Sequence, residues 1–172
     1  MARTYNADGR KIIASLKLVS RGTVDTVNLI ESANKALLLG IDPNQFVKLM
    51  EIARAASKAT GDTITKSFED ITVGIGRQSR MILDNLGIIV SIEKANNAYA
   101  KALGKTASSL TDTEKKQAFL NATVLAGQKI IDGVGNTSED AADKIAQIKV
   151  SLTELTNELK TSTLFFLNKL LT

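Results

Sequence analysis

The sequence predicts an all-α fold, a compact multi-helix bundle followed by a long coiled-coil-like C-terminal helix, and three observations predict it. Apolar residues recur at intervals of three and four almost from end to end, the spacing that puts them on one face of a helix rather than of a strand. Glycines and capping residues punctuate that pattern as helix stops and starts do. From about residue 136 the steps alternate between four and three, with no proline or glycine to interrupt them. The 172 residues suffice for one continuous core plus an extension, so the expected division is a bundle over residues 1–135 and a rod over 136–172.

Taken in order, Ile12, Leu16 and Val19 mark a first short helix that Arg21-Gly22 ends. Val27, Ile30, Ala33, Leu37 and Leu38 give a second, stopped by Gly40. Asp42 before Pro43 reads as a cap with proline at the first helical position. Behind it Phe46, Leu49, Met50, Ala53 and Ser57 share a face, while Lys48, Glu51, Arg54 and Lys58 are expected to face water. Asp62 is expected to cap the next segment, whose stripe of Ile64, Phe68, Ile71 and Ile75 should break at Gly74 and Gly76, each glycine costing a helix about 1 kcal/mol relative to alanine. A short apolar piece, residues 81–86, precedes Gly87 and the β-branched Ile88-Ile89-Val90, which reads as extended. Ser91 then caps a helix carrying Ile92, Ala95, Tyr99 and Leu103, closed by Gly104. After a small polar loop over 106–110, Thr111 and Glu114 form a capping box, each side chain accepting from the other residue's backbone N–H. Phe119, Leu120, Val124 and Ile131 follow, up to a break at Gly133-Val134-Gly135-Asn136. Thr137 with Asp140 resembles a second box, opening the rod. There Ile145, Ile148, Leu152, Leu155, Leu159 and Phe166 form the seam of a left-handed coiled coil, about 50 Å long at ~1.5 Å per residue. A seam of this kind seeks another helix, either from a sister chain, giving a homo-oligomer through residues 138–170, or folded back from the same chain.

Composition narrows the chemistry. Histidine, cysteine and tryptophan are absent, and aromatic residues make up 4%. Histidine and cysteine supply most transition-metal ligands, neutral-pH bases and covalent nucleophiles, so thiol, Ser-His-Asp and zinc chemistry drop out. Carboxylate or lysine chemistry remains open with 18 acids and 22 bases. No cofactor or metal is expected, and no apolar run reaches the ~20 residues that a membrane span needs. The net charge of +4 concentrates in residues 1–21, where Arg3, Arg10, Lys11, Lys17 and Arg21 face Asp8 alone. That stretch reads as a solvated helix face or as a basic arm. Only Tyr5 accompanies it, so no base-stacking platform and no specific nucleic acid are expected.

Two constellations are candidates for chemistry. Gly74, Gly76 and Arg77 place a glycine pair beside an arginine, either a phosphate cradle or a helix-breaking turn. Glu69-Asp70 and Asp84-Asn85 would serve acid–base work if they met in an apolar pocket, and otherwise cap turns.

Residues 74–88, reading Gly-Ile-Gly-Arg-Gln-Ser-Arg-Met-Ile-Leu-Asp-Asn-Leu-Gly-Ile, resemble the signature block of phage tail tape-measure proteins. The matching positions are Gly74, Gly76, Arg77, Ser79, Leu83, Asp84, Asn85, Leu86 and Gly87. Three further stretches are similar to that family and arrive in its order. They are residues 20–24 leading into 34–40; Ala98-Tyr99-Ala100 with Gly104-Lys105; and Leu110-Thr111 with Glu114-Lys115, Gln117-Ala118 and Asn121-Ala122. Arg80 departs from the family pattern, which has proline there. The resemblance implies a non-enzymatic tail component that occupies the tube lumen and templates tube polymerisation. Its partners would be the tail tube protein, tail assembly chaperones and baseplate or tail-tip proteins. Its location would be the phage virion tail, and the host cytoplasm during assembly. Family members run to many hundreds of residues, whereas this chain fully helical would span roughly 260 Å. The resemblance therefore implies a fragment, a truncated prophage gene or an excised domain. The alternative is a stand-alone helical interaction or adaptor module docking through its coiled-coil C-terminus.

Overall fold

The computed structural model describes residues 8–134 and 141–170; of residues 141, 142, 159 and 161–170 it describes the backbone alone. The fold is all-α. Among the described residues there are eight helices: α1 Gly9–Val19, α2 Thr26–Leu38, α3 Phe46–Thr60, α4 Ile64–Gly76, α5 Arg80–Asp84, α6 Ile92–Ala102, α7 Asp112–Val134 and α8 Ala141–Leu170. The Gly135-Asn136 half of the expected break and the Thr137–Asp140 start lie outside the described residues.

Helix α3 is the hub, packed against α1, α4 and α7. Its Leu49, Met50, Ile52, Ala53 and Ala56 are fully buried. The Phe46 and Phe68 rings meet edge to face, their centroids 6.2 Å apart, the arrangement that ring quadrupoles favour. All the buried residues of the core cluster belong to the chain before residue 121, and α8 contributes none.

One backbone device ends five helices. At Arg21, Gly40, Gln78, Gly87 and Gly104 the chain turns left-handed, with φ between 51° and 79°. At each of these the next residue's N–H donates to the carbonyl five residues back: Gly22 to Lys17, Ile41 to Ala36, Ser79 to Gly74, Ile88 to Leu83 and Lys105 to Ala100. These bonds satisfy carbonyls that a helix end otherwise leaves unpaired. At the opposite ends Asp8, Asp25, Thr63 and Ser91 accept a backbone N–H from two or three residues on. The box at α7 forms as expected: Thr111 N–H donates to Glu114 Oε2 (2.8 Å) and Glu114 N–H to Thr111 Oγ1 (3.3 Å). Ile88, Ile89 and Val90 run without helix, burying Ile88 and Val90 and exposing Ile89.

Several expectations are corrected. Gly74 lies inside α4, and the expected break falls at Gly76, the last residue of the helix. The cap of α4 is Thr63 rather than Asp62, whose carboxylate instead pairs with Lys66 one turn on. In α2 the buried face is Leu29, Ser32, Ala33, Ala36 and Leu37, while Val27, Ile30 and Leu38 are exposed. Ala33 and Leu37 of the expected stripe lie in that face and the other three do not, because small residues such as Ser32 and Ala36 can line a close helix contact that a search for large side chains skips. Arg54 and Lys58, expected in water, are mostly covered and pair with Asp143 of α8.

Candidate interaction surfaces: the signature turn and the outer face of α8

The signature positions build two consecutive helix closures. Gly74 supplies the carbonyl that Ser79 N–H reaches at 2.8 Å, and Ser79 in turn occupies the cap position of α5 in extended conformation. Leu83 is fully buried, and its carbonyl accepts from both Leu86 and Ile88. Gly87, at φ +73°, is the left-handed residue of the second closure, its N–H donating to the Asp84 carbonyl. Asp84, Asn85 and Arg77 are exposed, and Leu86 is buried. The two helical glycines act by what they lack. A Cβ on Gly74 would stand 2.7 Å from the Leu83 side chain, and one on Gly76 would stand 2.8 Å from Leu39. Gly74 is thus sealed beneath Leu83, so the glycine pair is a packing contact and forms no phosphate cradle.

The acidic candidates do not come together. Glu69 pairs with Lys35 at 3.1 Å, Asp70 with Lys66 at 2.7 Å, and Asp84 faces solvent. No group of three or more acidic residues suited to a metal ion occurs among the described residues. No helix among them is long and apolar enough to cross a membrane. A cleft of 720 Å³ between α1, α3 and α7 has a mixed lining that includes Arg21, Lys48, Glu51, Arg54, Lys58 and Asp132.

Helix α8 lies on the bundle by its polar face. Asp143, with its side chain largely covered, accepts from Lys58 Nζ at 3.1 Å and Arg54 Nη2 at 3.5 Å. Gln147 donates to the Arg21 carbonyl at 2.9 Å. Glu154 accepts from Lys17 Nζ at 2.7 Å and from the Thr26 hydroxyl at 2.9 Å. Those two donors hold the Glu154 carboxyl below its ordinary value, the Lys17 bond being the larger cause. Asp143, Gln147 and Glu154 fall within about 40° of one another around the helix, at ~100° per residue. The expected seam falls on the opposite side. Ile145 is 56% exposed, Ile148 61%, Leu152 61% and Leu155 54%. The side chains of Leu159 and Phe166, which continue it in sequence, lie outside the described residues. No family model and no solved structure matches the chain.

Sequence reasoning singled out the seam but missed what fixes its orientation. Asp143, Gln147 and Glu154 carried no motif, and their partners Lys17, Arg21, Arg54 and Lys58 read as ordinary solvated cations. The one available signal was the local surplus of positive charge in residues 1–21, which Glu154 meets at Lys17. Gly127 was missed as well. A Cβ there would stand 2.6 Å from Ile52, which makes it a close approach of α7 to the hub helix.

Proposed function

We propose that the chain is a structural, non-catalytic segment of a phage tail tape-measure protein, with the bundle as its N-terminal region and α8 as the start of a coiled-coil rod. The observation that carries the reading is the character of the signature block. Its residues close two helices in succession through Gly74, Ser79, Leu83 and Gly87, and they supply close packing rather than a reactive group. A block required for its turn geometry suits a component whose role is shape. The four ordered stretches of resemblance support the same reading. In it the partners are the tail tube protein, the tail assembly chaperones and the baseplate or tail-tip proteins, and the protein acts in the host cytoplasm during assembly and in the virion tail thereafter.

The test is co-assembly. Purified chain mixed with the tail tube protein and chaperones encoded beside it is expected to co-sediment with tubes and to appear as lumen density in electron micrographs. Tubes that form empty, with the chain left in the supernatant, would sink the proposal.

A second reading, a stand-alone adaptor docking through its C-terminal helix, is favoured by the uncovered aliphatic row on α8. The coding sequence on both sides separates the two. A frame continuing past Thr172 beside tail genes supports the tail component, and an isolated gene supports the adaptor.

A further inference from the structure

We draw no further inference here: the strongest candidate, the exposed surface patch that Ile145, Ile148, Leu152 and Leu155 form along the outer face of α8, carries nothing, because nothing in the structure shows what covers it.

Discussion

At Gly127 the absent side chain sets how closely α7 approaches the hub helix. Its Cβ would meet three Ile52 side-chain carbons at 2.6–2.8 Å, and Ile52 is fully buried and branched at its own Cβ. Gly133 lies in the same helix with open space around it. The same substitution should therefore have opposite signs. Gly127→Ala is expected to lower Tm by about 2–4 °C, overpacking outweighing the gain in helix propensity, while Gly133→Ala raises Tm by a similar amount. Thermal melts of the two variants check this, and equal signs would refute the close-approach argument. Glu114 makes a second prediction at this scale. The Lys105 ammonium at 2.5 Å, with the Thr111 N–H and hydroxyl, lowers its carboxyl to about 2. Because the folded value is depressed, the box at the start of α7 is fully formed above the ordinary carboxylate range and is lost as pH falls toward 2. Carboxyl NMR should show Glu114 titrating near 2.

Helix ends explain how much was legible in advance. Capping residues at Ser91 and Thr111 and stops at Gly40 and Gly104 could be read directly, since a left-handed turn or an unpaired N–H calls for few residue types. Arg21 and Gln78 fill left-handed positions that ordinarily select glycine, so the second went unmarked. Gly74 and Gly76 marked the end of α4 to within two residues, but not that both also serve close packing, because glycine used for packing looks the same in sequence as glycine used for turning. The ties of α8 were invisible for a different reason: they join residues more than 80 positions apart. Two predictions belong here. Arg80 is the first residue of α5, preceded by extended Ser79, the setting that proline tolerates. Arg80→Pro should stabilise by about 0.4–1 kcal/mol through the unfolded chain, read from urea melts, and a loss of stability would show that the arginine has a structural role. Helix α8 should loosen in acid. The Lys17 and Thr26 bonds depress the Glu154 carboxyl, so its contribution is complete above about 4.5 and disappears as pH falls through the lowered value. Fluorescence transfer between labels on α2 and α8 should drop over that range, and earlier at high salt because the pair is partly exposed.

For the whole molecule, core membership and polar attachment divide the chain into parts of unequal persistence. Amide exchange in α3 and α4 should require global unfolding, whereas α8, held by ion pairs and without a buried residue in the core cluster, should exchange by local release orders of magnitude faster. Uniform protection along the chain would contradict that division. The packing order has a further consequence for synthesis. Helices α1 to α4 contact one another early in the chain, but α3 also packs against α7, where Ile52 meets Gly127. From the end of α3 to Gly127 the ribosome must add roughly 70 residues, about 4–14 s at ordinary translation rates. Throughout that interval the flank of α3 that meets α7 lacks that cover, so translation arrested before residue 112 should yield chaperone-bound or insoluble product.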